Sequence, residues 1–371
     1  MPFIDLDLLP TKEVIPGYTA RSFHTGTMTF MYWTVKAGAV MPMHAHLHEQ
    51  VANVLHGTFE LTIEGETRLL KPGIAAVIPP NTFHGGKAIT DCELLDVFNP
   101  ERDDYKFKIM NIDLKNKTAL VCGGSQGLGL ASAKELALLG ATIVLVSRNE
   151  EKLQNSIQQL DASAGQQHTY LAIDLSDPAH AKAAVETWLS KGATIHILIN
   201  NAGGPPSGPM IDTDPLELDK AFKTHVVSSH VLAQLVIPGM RKAGYGRIIN
   251  IVSTSVKQPI NGLGISNTIR AAVANWSKTL ANEIGNGGIT INNVLPGFTN
   301  TDRLDYLFTR QAADQGVDKQ AILERSIASI PAKRLGEPEE FGAVVAFLCT
   351  PAAAYINGIN LPVDGGRTGC T

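Results

Sequence analysis

Apolar and polar positions along this chain fall into two regimes. Through residue 110 the apolar residues gather in short β-rich runs, Met28–Val35, Val51–Leu55, Thr58–Ile63 and Ala75–Ile78, between Gly, Pro and Asn turns. No segment there carries helical periodicity, so the pattern predicts an all-β unit, a small barrel or sandwich. From residue 111 onward, strand-like runs alternate with helical stretches. The runs are Thr118–Cys122, Thr142–Val146, Tyr170–Ile173, Ile195–Ile199, Arg247–Val252, Thr290–Leu295 and Asn360–Val363. That alternation predicts an α/β unit, a parallel sheet covered on both faces. Residues 99–115 are charged and aperiodic and read as a linker, with the boundary between residues 1–110 and 111–371.

The first α/β run leads into a glycine turn, Gly123-Gly124-Ser125-Gln126-Gly127-Leu128-Gly129. A helical face of Leu128, Ala131, Leu136 and Leu139 follows, with Gly140 as its stop. Strand, glycine turn and helix together make a dinucleotide cradle. Glycines let the backbone approach a pyrophosphate, and the helix N-terminus supplies N–H groups and positive dipole. The second run ends in Ser147-Arg148-Asn149. An acidic residue there would accept the ribose hydroxyls of NAD(H). Arg148 instead offers a cation to a 2′-phosphate, which favours NADP(H), with NAD(H) as the other candidate. Asp174, after the third run, suits either the adenine amine or a helix cap, since Ser176 and Asp177-Pro178 follow.

The β-rich part holds its own chemistry in Gly38-x5-His44-x-His46-x3-Gln50-x6-Gly57 and Gly73-x5-Pro79-x4-His84. On one straight strand, His44 to Gln50 would spread over roughly 20 Å at about 3.3 Å per residue. That is too far to share an ion, so the chain is expected to turn near Leu47–Glu49. Imidazoles with one amide or carboxylate oxygen suit a divalent transition metal with open positions: Fe, Mn, Co, Ni or Zn. These residues resemble the two cupin motifs, over about the first hundred residues. The resemblance implies a cupin barrel with His44, His46, Gln50 and His84 as ligands. The family more often has Glu at the Gln50 position. A neutral amide there leaves the metal charge uncompensated, which favours an anionic or enolisable substrate. Asn81 and Ala88 also depart from the second motif, and the alternative is an emptied cupin that serves as a binding or dimerisation module. His48 and Glu49 are expected outside the ligand set, and His24 and His56 to be structural.

Asn200-Asn201-Ala202-Gly203-Gly204, Pro296-Gly297 and Asp364-Gly365-Gly366, with the glycine turn, resemble the short-chain dehydrogenase/reductase family over nearly all of residues 113–371. The resemblance implies a seven-stranded Rossmann sheet, an NAD(P) cofactor, hydride transfer and a homodimer or homotetramer. It places Gly123, Ser125, Gln126, Gly127 and Leu128 at the pyrophosphate. Asn201, Ala202 and Gly203 would line the adenosine ribose and the nicotinamide approach, and Pro296, Gly297 and Thr301 would border the nicotinamide. The catalytic pattern departs. Ser253 keeps its place, but Ser266 stands where Tyr is expected, Arg270 where Lys is, and His225 where Asn is. A serine hydroxyl is far less acidic than a phenol, and Arg270 is always protonated. Ser266 and Arg270, four apart on one helix, share a face and can hydrogen-bond. They can hold an anion electrostatically, and His225 is the best remaining acid. Arg303 could clamp a carboxylate or make a surface ion pair. Tyr245 precedes a strand and is not expected to replace the missing phenol.

Charge excludes other classes. Residues 1–108 carry 9 basic and 13 acidic side chains and the rest 22 of each, so there is no basic stripe for nucleic acid. No apolar run is long enough to cross a membrane. Cys92, Cys122, Cys349 and Cys370 are scattered and read as reduced thiols of a cytoplasmic protein. Together the two parts resemble the cupin isomerase and partner reductase of the bacilysin and aeruginosin pathways. The expected function is therefore a metal-dependent isomerase fused to an NADPH-dependent reductase. Its substrate would be a small conjugated carbonyl, such as a cyclohexadienyl keto acid, reduced by conjugate hydride addition. The alternatives are a cupin dioxygenase coupled to a carbonyl reductase, and a non-catalytic NADP(H) sensor or scaffold.

Overall fold

Strict alternation builds the first unit. In Thr29–Val35 every second residue is buried, and Gln50, Ala52 and Val54 in Glu49–His56, and Cys92, Leu94, Asp96 and Phe98 in Cys92–Asn99, follow the same rule. The computed structural model describes residues 3–106 and 110–369, and the chain divides into two units, Met1–Ile109 and Met110–Thr371. The first unit contains strands β1 (Lys12–Ile15), β2 (Tyr18–His24), β3 (Thr29–Val35), β4 (Val40–His44), β5 (Glu49–His56), β6 (Phe59–Ile63), β7 (Glu66–Leu70), β8 (Ala75–Ile78), β9 (His84–Ala88) and β10 (Cys92–Asn99). They form a six-stranded sheet in the order β1-β2-β3-β10-β5-β8 and a four-stranded sheet in the order β4-β9-β6-β7. Inward residues of both sheets share one core around Met31, Trp33, Val35, Phe59, Leu61 and Phe98.

Sequence patterning passes over six of these strands. In β7 only Leu70 is buried, and β4 has no buried residue, so neither carries an apolar signal. The expected linker needs correction at both ends. Arg102 is buried, with its guanidinium 5.0 Å from the Phe98 ring centroid and 4.1 Å from that of Tyr105. Leu114 is fully buried in the second unit's core. Cation–π stacking and a single apolar anchor order these segments without any periodicity. Residues 107–109 of that stretch, and Cys370, lie outside the described residues.

In the second unit all seven expected strands are present. They are β11 (Thr118–Cys122), β12 (Thr142–Ser147), β13 (Thr169–Ala172), β14 (Ile197–Asn200), β15 (Gly246–Ile251), β16 (Ile289–Pro296) and β17 (Asn360–Val363), in the parallel order β13-β12-β11-β14-β15-β16-β17. The order reverses beside β11, which places a crevice at the strands' carboxyl ends. Helices α1 (Gly127–Leu138), α2 (Glu150–Ile157), α3 (Pro178–Leu189), α4 (Pro215–Phe222), α5 (Ser228–Ala243), α6 (Gly264–Ile284), α7 (Asp302–Gln315), α8 (Lys319–Ala328) and α9 (Pro338–Leu348) complete it. Alternate residues of β11 serve the two faces. Ala119 and Val121 pack with Leu136 of α1 and Phe341 of α9, whereas Leu120 and Cys122 pack with Val185 of α3 and Leu232 of α5. One buried polar line crosses the sheet. Asn200 donates to Asn250 (2.8 Å), Asn250 to Asn293 (2.9 Å) and Asn293 to Asn360 (2.8 Å), each pair in register on adjacent strands. Pairing these amides with one another meets the requirement that buried polar groups be satisfied.

Candidate functional site

The histidines of the first unit converge because the chain breaks at residues 45–48, between β4 and β5, in the region where the spacing requires it. His44 and His84 are register partners on β4 and β9, and their ring centroids are 4.4 Å apart. The His46 ring stands 4.9 Å from that of His84. One ring nitrogen from each of the three lies within 4.8 Å of the others. Backbone carbonyls set the tautomers. Nδ1 of His44 meets Pro42 O (2.8 Å), Nδ1 of His46 meets His48 O (3.1 Å), and Nδ1 of His84 meets Thr82 O (2.8 Å). Each Nδ1 must donate to its carbonyl, which leaves three Nε2 lone pairs to accept. His84 Nε2 is buried with no partner at all. Gln50 Oε1 lies 3.2 Å from His46 Nε2. Two acceptors at that separation match neighbouring ligands about 2.1 Å from one cation, which stand about 3 Å apart. Burial, then the charge of Arg102, pushes His46 down to about 4, and burial also lowers His84. Both are therefore neutral at pH 7, the state that ligates. The residues fit a divalent ion. His48 takes part only through its backbone carbonyl, which accepts from His46 Nδ1.

Sequence reasoning missed two residues of this cavity. Asp96 is buried and accepts from Trp33 Nε1 (2.9 Å). Burial raises it to about 6, against the lowering effects of Gln50, Trp33 and the charge of Arg102. Arg102 lines the same cavity, fastened to Asp104 through Nε (3.1 Å) and Nη2 (2.6 Å). An acid at an inward position of β10 was the available signal. The expectation of an uncompensated metal charge is corrected accordingly, since a buried acid lines the same cavity as Gln50.

In the second unit the glycine turn has the backbone that its sequence requires. Gly123 (φ +58°) and Gly127 (φ +54°) are left-handed. A Cβ on Gly129 would come within 2.2 Å of Gly123 O, so that glycine permits the close approach of turn and helix. Gln126, the N-cap of α1, makes no side-chain cap bond, so the first N–H groups of α1 face outward unclaimed by it. A Cβ on Gly127 would meet only Thr301 Cγ2, at 3.9 Å, and one on Gly203 nothing within 4 Å. This is an open cradle of the kind a pyrophosphate fills. Ser125 O accepts from Ser156 (3.0 Å), Gln126 Oε1 accepts from Lys152 (2.9 Å), and Leu128 packs partly buried against the core. Ser147 Oγ is buried without a partner, and Arg148 is exposed. Asp174 accepts from Ser176 N (2.9 Å) while Asp177 caps α3. Burial would raise Asp174, but Ser176 and the charges of Arg148 and Lys220 outweigh it and hold the carboxyl low. Pro296 ends β16, Gly297 abuts Asp364, and Thr301 caps α7.

The structure brings His225 and Arg270 to one cavity, with Asn200, Asn201, Ala202, Asn250 and Ile251. Neither Ser253 nor Ser266 is in that lining; Ser253 Oγ accepts from Ser255 N (3.1 Å), and both serines are half-buried. A five-residue π-helical turn, Lys223–Val227, joins α4 to α5 and carries His225, which is buried. Arg270 does not bond Ser266 as the spacing allowed. It donates instead to two backbone carbonyls, Ile251 O (2.8 Å) and Ala202 O (3.5 Å). Burial, then Arg303, pulls Arg270 to about 10, so it remains a cation at pH 7. His225 is corrected as an acid. Burial, then the charge of Arg270, pushes it down to about 3 against a raising effect of the Gly203 backbone, so the ring is neutral at pH 7 and is not the imidazolium a proton donor would need. Arg303 donates to Pro205 O (3.0 Å), and among the described residues no carboxylate pairs with it. Tyr245 is elsewhere, bonded to Cys349 O and flanked by Lys117 and Arg247.

Among the described residues no helix is long and apolar enough to cross a membrane. Residues 31–98 match the cupin domain family, and residues 123–368 match the family described as enoyl-(acyl carrier protein) reductase. The 3-oxoacyl-(acyl-carrier-protein) reductase FabG of Escherichia coli is 33% identical over 255 residues, 69% of this chain and 98% of that protein. The L-sorbose reductase of Gluconobacter frateurii, solved with NADPH and L-sorbose, is 32% identical at a TM-score of 0.66. The match covers 71% of this chain and all of that one. YwfH, an NADPH-dependent reductase involved in bacilysin biosynthesis, is 29% identical at a TM-score of 0.65, covering 69% of this chain and 99% of its own. A seven-stranded doubly wound sheet, a left-handed glycine turn at its switch point and these likenesses agree: the chain belongs to the short-chain dehydrogenase/reductase family of NAD(P)-dependent oxidoreductases, with a cupin domain ahead of the reductase domain.

Proposed function

We propose that residues 1–110 form a metal-dependent isomerase and residues 111–371 a reductase that uses NADPH for conjugate reduction of a small enone-type carbonyl, a keto acid of the cyclohexadienyl kind being the leading substrate. One observation carries the reading: the cavity beside the cofactor cradle offers a fixed cation, Arg270, and a neutral His225, but no carboxyl or phenol, and burial pushes its one thiol, Cys122, up to about 12. Direct carbonyl reduction needs a proton at oxygen as hydride reaches carbon. Conjugate reduction does not, because the alkene electrons move onto the carbonyl oxygen and an enolate results. Arg270 would hold that oxygen's charge in a buried setting where the interaction is strong. His225 would line the site beside Arg270 as a neutral ring, and water would protonate the product carbon afterwards. Bound NADPH supplies the hydride, and a divalent ion held by His44, His46, Gln50 and His84 supplies Lewis acidity at the substrate carbonyl. Arg148 and the unpartnered Ser147 Oγ support the 2′-phosphate form of the cofactor. The family's habit of association supports a homodimer or homotetramer.

Metal-loaded chain, substrate and NADPH are mixed, and ultraviolet absorbance and NADPH are followed together. Isomerisation is expected without oxygen uptake and is lost on chelation, whereas NADPH oxidation by a preformed cyclic enone survives chelation. An enzyme that oxidises no NADPH with any cyclic enone would sink the reading.

A further inference from the structure

We propose that Asp96 is the positioning residue of the first unit's metal centre. It holds the Gln50 carboxamide with its oxygen toward the histidines, and it supplies from behind the negative charge that a carboxylate ligand would have carried. The inference rests on reading His44, His46, Gln50 and His84 as a metal site. Register sets the juxtaposition. β5 and β10 pair antiparallel, with Gln50 opposite Phe98 and Ala52 opposite Asp96, so Gln50 and Asp96 are diagonal neighbours on one face. Both side chains are buried and both line the cavity that His44 and His84 enter.

The polarity of the pair then follows from donor and acceptor chemistry. A primary amide has one donating end and one accepting end, whereas a carboxylate only accepts. With Oε1 facing His46 Nε2 at 3.2 Å, the NH2 is the end of the amide left for the Asp96 carboxylate, its diagonal neighbour. Trp33 Nε1 fixes the carboxylate from the other side at 2.9 Å. Without Asp96 the amide has no reason to prefer this orientation, and the reversed one would present an NH2 group to the ion. Among the described residues no cation is within ion-pair distance of Asp96, and the nearby Arg102 gives Nε and Nη2 to Asp104. A buried carboxylate without a direct counter-charge is rare. A divalent ion one ligand away would provide that counter-charge.

The test is Co(II) titration of the metal-stripped full chain, read by calorimetry and by the visible ligand-field spectrum. D96N is expected to bind Co(II) roughly 10 to 100-fold more weakly and with displaced bands, the range seen when a partner behind a ligand is lost. W33F removes only the outer donor and is expected to stay within about threefold of wild type. Q50E/D96N moves the carboxylate onto the ligand and puts an amide behind it, so it is expected to bind within about threefold of wild type. D96N that matches wild type in affinity and spectrum overturns the proposal, as does W33F that weakens binding as far as D96N. Should D96N not fold, the exchanged pair decides alone, and Co(II) binding more than about tenfold weaker than wild type overturns it. A wild-type chain that takes up no Co(II) overturns the metal reading itself and this inference with it.

Discussion

Two neighbouring glycines of the cradle should respond to alanine in opposite ways. Gly129 lies inside α1, where alanine gains about 1 kcal/mol of helix propensity. Its Cβ, however, would sit 2.2 Å from Gly123 O and 2.8 Å from Asn201 Nδ2, and the first of these is backbone that cannot swing away. Overpacking of that kind costs about 1–3 kcal/mol or more, so the steric term wins. At a few degrees per kcal/mol for a domain of this size, G129A should melt lower, by up to about 8 °C. Gly127 is the reverse case. At φ +54° alanine incurs about 1–2 kcal/mol of left-handed strain. Reduced freedom of the unfolded chain offsets about 0.4–1 kcal/mol of that. The added methyl meets only Thr301 Cγ2, at 3.9 Å, and otherwise projects into the open cradle. G127A should therefore melt within about 4 °C of wild type yet bind NADPH at least about tenfold more weakly, since a methyl displaces a phosphate contact. Thermal unfolding by near-ultraviolet circular dichroism and NADPH fluorescence titration measure the two effects. G127A that binds NADPH like wild type would refute the placement of the pyrophosphate in this turn.

R148S should raise the Kd for NADPH roughly tenfold and leave NADH unchanged, a charge-assisted bond at an exposed site being worth about 1.5 kcal/mol; equal losses for both cofactors would return Arg148 to the adenine. The folded chain holds His225 down at about 3, so between about pH 6.5 and 3 the unfolded chain binds a proton that the folded chain does not. Stability from this group is thus complete above about pH 6.5 and falls as pH drops, by up to about 2 kcal/mol at pH 5. Urea unfolding should show H225N losing correspondingly less than wild type between pH 7 and 5, and parallel losses would mean that the ring is not buried against Arg270. Tyr306 on α7 is 51% exposed, with Arg303 5.5 Å from its ring centroid. Y306F should keep its NADPH oxidation rate within about twofold, and a loss beyond about a hundredfold would assign proton donation to this phenol and end the electrostatic account.

Features that depend on neighbours along the chain were legible in the order of residues alone. Short apolar runs alternating with helical stretches marked all seven strands of the parallel sheet, because strands buried on both faces are apolar runs bounded by turns. Gly123, Gly127 and Gly129 were legible because left-handed backbone and close approach leave few residue choices. The spacing of His44, His46 and Gln50 required a chain break, and the break lies at residues 45–48. The rest depends on partners far apart in the chain, which meet only on folding. Asp96 stands behind Gln50 because β10 pairs with β5, across more than forty residues. The Asn200-Asn250-Asn293-Asn360 line exists because four strands place one amide each in register. His225 ceased to be a candidate acid when a π turn buried it against Arg270, since the proton affinity of a side chain is set by its surroundings and not by its name.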